Sequence, residues 1–171
     1  ARHPIMDAEW LKNYLAEPVV AEPGTEFLYN SSGSCLLGAI VKKKTGKGMR
    51  EFLKEFLFDK IGIDGGRFQI FRFPDGYDAE PGTASVTEDN LRLAILFMNY
   101  GNWNGEQIIA EDWMHMAMSC QISTEPNGGT EDYRHGYGFQ LWNSAIPGVY
   151  RFDGGQGQYG LIWPERKIAV A

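Results

Sequence analysis

Glycine and glutamine dominate the most conspicuous chemical pattern in the sequence, the segment that follows Asp153. Residues 155–160 fit the pattern G-x-G-x-x-G, whose glycine amides bind the pyrophosphate of a dinucleotide at the start of a helix. The next residues, 161–163, are typical of a strand, and Pro164 stands where the phosphate-binding helix would have to continue. The sequence therefore argues against a dinucleotide site, and composition alone favours a flexible hairpin.

A second segment, Tyr29-Asn30-Ser31, places a phenol and a hydroxyl on either side of an amide. It follows the turn residues Pro23-Gly24 and precedes a predicted helix. A phenol has an ordinary pKa of about 10, so it transfers protons near neutral pH only where a cation stabilises the phenolate. When the residues around it are not considered, Tyr29 is interpreted as a buried aromatic side chain that closes the turn before the helix.

The metal-binding residue types are scattered along the chain. His3, His115 and His135 are distant in sequence from one another and from the cysteines, a spacing that disfavours a metal site. The sequence predicts no metal and no cofactor. Cys35 and Cys120 lie in apolar, helix-like stretches, which favours two buried free thiols over a disulfide.

The composition of the chain limits the kinds of binding partner and the class of protein that we expect. The chain has 171 residues, of which 43% are hydrophobic, a size and composition typical of one globular domain. With 16 basic against 22 acidic residues, its net charge of -6 opposes binding to a nucleic-acid backbone. No apolar run approaches the roughly 18 residues of a membrane span. We therefore expect neither a nucleic-acid partner nor a membrane segment in this chain.

Apolar residues at helical spacing fill the first two thirds of the chain. We expect Ser31 or Ser32 to cap a helix that ends at Gly46. Its apolar stripe should be Leu36, Leu37, Ile40 and Val41. The same spacing predicts further helices over residues 7–16, 49–62, 85–98 and 110–118.

The spacing of the apolar residues is no longer helical in the last third of the chain. Short aromatic or β-branched runs separated by turns predict an antiparallel meander, with strands at 137–142, 148–152, 159–163 and 167–170. Residues 64–82 should be irregular, with one short strand at 68–73. The prediction is an α+β fold with a helical portion over about 7–120 and an antiparallel sheet over about 133–171.

The stretch from Pro23 to Gly33, followed by the helix that begins Leu36-Leu37-Gly38, closely resembles a segment of the serine β-lactamase and penicillin-binding-protein-like family. In that family a Pro-Gly turn leads to a Tyr-x-Asn motif, in which this sequence has Ser31 at the third position. The resemblance continues in order through Trp103-Asn104-Gly105, Tyr137-Gly138-Phe139 and the glycine-rich segment after Asp153. It implies a partial β-lactamase/transpeptidase-like fold, with residues 1–171 as the C-terminal part of one domain.

The resemblance implies acyl transfer through the serine of a Ser-x-x-Lys motif, which divides one difficult hydrolysis into two easier steps. No serine of this chain, from Ser31 to Ser144, has a lysine three positions later. The family places that motif before the tyrosine motif. We therefore expect the chain to be inactive alone and to need the N-terminal part of its own domain. The apolar run at 167–171 adds to this expectation, because a strand ending there would expose unpaired backbone.

The resemblance also assigns site residues. Tyr29 would move a proton among the serine, the lysine and the leaving group, and Ser31 would replace an asparagine that contacts substrate. The main chain of the third motif would bind the acyl oxygen; its counterpart residues are Gly154, Gly155, Gln156 and Gly157, with the Gly155 amide as the expected oxyanion donor. Asp153 stands where the family often has a cation, which disfavours a carboxylate-bearing β-lactam.

The implied function is therefore part of a serine hydrolase that acts on an ester, amide or peptide bond of a small-molecule or peptide acyl substrate. Two alternatives remain open. One is a catalytically silent module of the same fold that holds a peptide or a cell-wall fragment. The other is a self-sufficient α+β domain without such ancestry.

Overall fold

A computed structural model describes residues 9–125 and 130–171, and only the backbone of residues 79–82. His3 lies outside the described residues. The described chain divides into two compact units. Residues 9–20 and 29–86 belong to the first unit, and residues 21–28 and 87–171 belong to the second.

In the described part of the first unit there are three helical segments and one hairpin. Helix α1 (Trp10–Ala16) precedes helix α2 (Ser31–Thr45). Helix α3 (Met49–Leu53) continues through a π-helical turn (Lys54–Phe58) into helix α4 (Asp59–Ile61). Strands β1 (Gln69–Arg72) and β2 (Asp78–Ala84) pair as an antiparallel hairpin. The prediction that residues 64–82 are irregular is wrong at β2.

Helix α2 begins and ends at residues suited to those positions. Asn30 caps its start, which corrects the prediction that Ser31 or Ser32 does so, because the side chain of Asn30 accepts a hydrogen bond from the Gly33 amide. Gly46 ends the helix with a φ of 74°, a conformation that costs glycine little.

The buried face of α2 differs from the predicted apolar stripe. Cys35, Gly38 and Ala39 are buried, whereas Leu37 and Ile40 are 51% and 48% exposed. Helix α2 packs against β2. Small residues bring a helix backbone close to its neighbour, and the large side chains of Leu37 and Ile40 are turned outward.

Helices α5 (Thr87–Met98) and α6 (Glu111–Met118) of the second unit are joined by a two-strand ribbon, β3 (Asn102–Trp103) and β4 (Glu106–Gln107). The two residues between these strands, Asn104 and Gly105, have φ values of 51° and 90°. An Asn-Gly pair with positive φ is the usual sequence of a tight hairpin turn.

A four-stranded antiparallel sheet completes the second unit. It consists of β5 (Trp142–Asn143), β6 (Tyr150–Asp153), β7 (Tyr159–Trp163) and β8 (Ile168–Val170), paired in sequence order. The predicted meander and the α+β class are confirmed, although the first strand, predicted at 137–142, is Trp142–Asn143 and overlaps the prediction only at Trp142. One sheet face packs on the helices, with Ala94, Met114, Met118, Leu141 and Ile162 at the centre of the core.

The two cysteines are free thiols, as predicted, but only Cys35 is buried. Cys120 is exposed, because α6 ends at Met118 and the chain leaves the core there. Among the described residues no helix is long and apolar enough to cross a membrane. In the same part of the chain, no cluster of three or more histidine, cysteine or acidic residues is arranged to hold a metal ion.

Candidate functional site

Tyr29 lies just before α2 in chain without regular secondary structure, and its side chain is 54% exposed. The interpretation of Tyr29 as a buried aromatic residue that closes the turn is therefore wrong. Ser31 is the first residue of the helix and is half-buried. The structure thus presents the phenol at the surface of the first unit, two residues from a hydroxyl at a helix N-terminus.

Asn30 connects this segment to the rest of the first unit. Its Oδ1 accepts a hydrogen bond from the Gly33 amide at 3.2 Å, and its Nδ2 donates to the Tyr14 hydroxyl at 3.4 Å. The carboxamide therefore bridges the start of α2 and the end of α1. The sequence signal for the cap was present, since asparagine is among the best N-cap residues, but the contact with Tyr14 joins residues too distant in sequence to be predicted.

Residues 154–158 form the tight hairpin between β6 and β7. The Gly154 amide donates to the Gln158 carbonyl at 2.8 Å, and the Gly157 amide donates to the Gly154 carbonyl at 3.2 Å. Gly157 has a φ of 86°. These bonds and this φ are typical of a three-residue hairpin loop that ends in a left-handed glycine. All four predicted site residues of the loop are exposed.

The amides of this loop differ in whether they are already bonded. The Gln156 amide donates to Oε1 of Gln158 at 3.2 Å, so the amides of Gly154, Gln156 and Gly157 are all used within the hairpin. Gly155 lies between them, and within the described part of the chain its amide has no hydrogen-bond acceptor. A Cβ at Gly155 would meet no atom within 4 Å, so the space around that amide is open.

A buried ion pair precedes the loop. Arg151 and Asp153 occupy alternate positions of β6 and share one face of the sheet. The Arg151 Nε donates to Asp153 Oδ2 at 2.9 Å, and the two side chains are only 6% and 9% exposed. From the sequence, Asp153 was considered without a partner. The signal for Arg151 as its partner was their spacing of two residues on a strand, which places both side chains on the same face.

Aromatic residues surround the ion pair. The Arg151 guanidinium lies over the Tyr133 ring, 4.7 Å from its centroid, and Trp142 packs edge-on against the same ring. Burial raises the pKa of Tyr133, as do the negative charge of Asp153 and a hydrogen bond to its carboxylate. Tyr133 therefore stays a neutral donor toward Asp153. Trp142 is 7% exposed and supports this cluster from the core of the unit.

The predicted site residues fall into two groups, each described within its own unit. Tyr29 and Ser31 are close together at the start of α2 in the first unit. Gly154, Gly155, Gln156 and Gly157 share one loop in the second. The sequence missed Asn30, Arg151 and Tyr133 as the side chains that hold these groups.

Comparison with solved structures gives three similar folds. The chain matches a penicillin-binding protein homologue from Pyrococcus abyssi, described as octameric, at a TM-score of 0.75 and 21% identity, covering 98% of this chain and 43% of that one. It matches a proposed 6-aminohexanoate-dimer hydrolase from Bacillus anthracis at 0.70 and 22%, covering 88% and 39%. It also matches a proposed beta-lactamase from Bacteroides dorei DSM 17855 at 0.68 and 17%, covering 94% and 54%.

These similarities confirm the predicted β-lactamase/transpeptidase-like fold. The chain spans between 39% and 54% of the length of these structures. No curated protein sequence matches it. The model of the Beta-lactamase family matches residues 1–171, the whole of the sequence. By that match, and in agreement with the fold, this chain belongs to the beta-lactamase family.

Proposed function

We propose that this chain supplies part of the active site of a serine hydrolase that acts on an ester, amide or peptide bond. The nucleophilic serine and its lysine would lie in the same protein but outside residues 1–171, since no Ser-x-x-Lys occurs within them. Tyr29 and Ser31 would act beside that serine, and the 154–157 loop would bind the acyl oxygen. The observation that carries the proposal is the family match over the whole chain.

The exposure of Tyr29 supports its assignment as a proton carrier. A phenol that transfers protons must be reached by substrate, and Tyr29 is 54% exposed. It must also become a phenolate near neutral pH, which requires a neighbouring cation. The lysine of the Ser-x-x-Lys motif would supply that cation. Ser31, whose hydroxyl can donate and accept, would contact the substrate from the first turn of α2.

The Gly155 amide is the best-suited oxyanion donor of the loop. An oxyanion hole needs N–H groups that are fixed in place and free to bond the developing negative charge. The neighbouring amides of Gly154, Gln156 and Gly157 are consumed by the hairpin, and their bonds hold Gly155 at its apex. The absence of a side chain at Gly155 allows a substrate carbonyl to approach the main chain.

A fluorescent alkyl phosphonate, which reacts with activated serines, tests the proposal on the complete protein that contains this chain. We expect labelling of a serine outside residues 1–171. Because general acid–base catalysis typically contributes about 10²–10⁴-fold, Tyr29→Phe should slow the labelling by a factor of that order. Tyr77→Phe is the matched control: its ring lies against Lys42, away from the Tyr29 segment in sequence, and labelling should be unchanged.

Two results would contradict the proposal in different ways. Labelling of Tyr29→Phe at the wild-type rate would remove Tyr29 from the mechanism while leaving a serine hydrolase. No labelling of the wild-type protein, together with no Ser-x-x-Lys in its complete sequence, would favour the alternative of a catalytically silent module that binds a peptide or a cell-wall fragment.

A further inference from the structure

The strand that leads into the proposed acyl-oxygen loop carries two opposite charges that cancel each other. Arg151 and Asp153 are bonded at 2.9 Å on one face of β6, with side chains 6% and 9% exposed. Charges are buried in proteins almost only when they are paired, because an isolated ion loses its hydration. The pair therefore contributes no net charge at the entrance to the loop.

Further bonds prevent either charge from turning toward a ligand. A terminal nitrogen of Arg151 donates to the Asp132 carbonyl at 2.8 Å, and the guanidinium lies over the Tyr133 ring. The Asp153 carboxylate lies close enough to Tyr133 to raise the pKa of that phenol. If Arg151 moved out to bind a substrate carboxylate, Asp153 would stay buried without its counter-charge, at a large cost in free energy.

Beyond the ion pair the hairpin carries no formal charge. Residues 154–158 are glycines and glutamines, and the first residue of β7 is Tyr159. The chain as a whole has a net charge of -6, which disfavours the approach of anions. Neither side-chain charge nor the overall field of this chain would compensate a carboxylate on the acyl chain of a substrate bound at this loop.

We infer that the Arg151–Asp153 pair makes this site select acyl donors whose acyl chain carries no charge, and reject those whose acyl chain carries a carboxylate. The inference rests on the proposed function, which it deepens by naming the substrate class. A carboxylate on the acyl chain would lose water against an uncharged loop without gaining a cation in exchange. Uncharged esters and amides lose no such hydration.

Two 4-nitrophenyl esters of equal chain length test the selection on the complete protein. The hexanoate is uncharged, and the mono-ester of adipate has a carboxylate at the far end of the same chain. After subtraction of spontaneous hydrolysis, we expect kcat/KM for the hexanoate to exceed that for the adipate by at least about tenfold, the size of one unit-charge interaction in a partly screened site. Equal values of kcat/KM would overturn the inference.

Charge variants connect the selectivity to the ion pair. Asp153→Asn keeps the shape and leaves Arg151 positive, so the preference for hexanoate should fall by about fivefold or more. Arg151→Met combined with Asp153→Asn removes both charges and should restore the wild-type ratio. Circular dichroism checks that each variant is folded. A folded Asp153→Asn protein with an unchanged ratio would contradict the role of the pair, and if that variant does not fold the wild-type ratio alone decides.

A binding measurement separates this inference from the proposed function. The complete protein is titrated with hexanamide and with adipamate, which carries a carboxylate at the far end of the same chain, while the Gly155 amide is followed by NMR. If neither ester is hydrolysed, the proposed hydrolase fails, but a Gly155 shift with hexanamide and not with adipamate still supports selection against anions. Equal shifts with both ligands, or a shift with adipamate alone, would refute it.

Discussion

The two groups of predicted site residues, one in each unit, are held in place by different kinds of interaction. The Tyr29-Asn30-Ser31 segment is held by hydrogen bonds at the surface, from Asn30 to Gly33 and to Tyr14. The hairpin after Asp153 is held by strand pairing on both sides and by an ion pair that is nearly excluded from solvent. The first anchor is local and exposed, whereas the second is buried.

This difference determines how much each half depends on its surroundings. An exposed hydrogen bond competes with water and contributes only about 0.5–1.5 kcal/mol. Removing one charge of a buried ion pair is costly, because the other charge stays buried without a partner. The ion pair therefore enforces a single arrangement of the two side chains. We therefore expect the loop to be preorganised by its own unit, and the Tyr29 segment to be the half whose conformation responds more to a bound substrate.

Arg151→Met should have the largest effect on stability. It leaves the Asp153 carboxylate buried without its counter-charge, which should lower the free energy of unfolding by about 3–5 kcal/mol. Urea unfolding followed by circular dichroism measures it. The double variant Arg151→Met with Asp153→Asn should recover at least half of the loss, because no buried charge remains. A loss of less than about 1 kcal/mol in the single variant would show that the pair does not anchor the hairpin.

Gly157→Ala should have an intermediate effect. Its φ of 86° forces an L-residue into the left-handed region, which costs about 1–2 kcal/mol. Gly155→Ala is the matched control two residues away: its φ is not positive and its Cβ would meet no atom, so the change should stay within about 0.5 kcal/mol. The same urea titration compares them. If the two variants destabilise equally, the loop does not rely on the left-handed glycine.

Local sequence patterns predicted much of this fold because the physics they report is local. Gly46 ends α2 through its own backbone freedom, and Asn104-Gly105 makes the β3–β4 turn for the same reason. The meander followed from alternating aromatic and β-branched runs separated by turn residues. Each of these elements is decided by residues within a few positions of one another.

Features that depend on distant partners could not be predicted in this way. Asp78 is buried, and besides a bond from Arg72 across the hairpin its carboxylate accepts one from the amide of Met49, which is distant in sequence. The outward position of Leu37 and Ile40 follows from close packing of the small residues of α2. Residue type alone favours burying the larger side chains.

The candidate site shows the same division. Tyr29, Ser31 and the loop residues were located by their order along the chain and by resemblance to a family. Which loop amide is unused, and which side chains anchor each half, depends on hydrogen bonds across the hairpin and between helices. The loop glycines were thus predictable as a group, whereas the distinction between Gly155 and its neighbours was not.

Asn30→Ala should have the smallest of these effects, and it sharpens the contrast between the two anchors. Loss of the cap should lower the free energy of unfolding by about 1 kcal/mol, since water can replace an exposed bond. Asn30→Asp keeps an oxygen for the Gly33 amide and adds negative charge at the N-terminus of α2, so its stability should match the wild type. Urea unfolding compares the two. If Asp is as damaging as Ala, the anchor is the hydrogen bond that Nδ2 donates to the Tyr14 hydroxyl, because both substitutions remove that N–H donor.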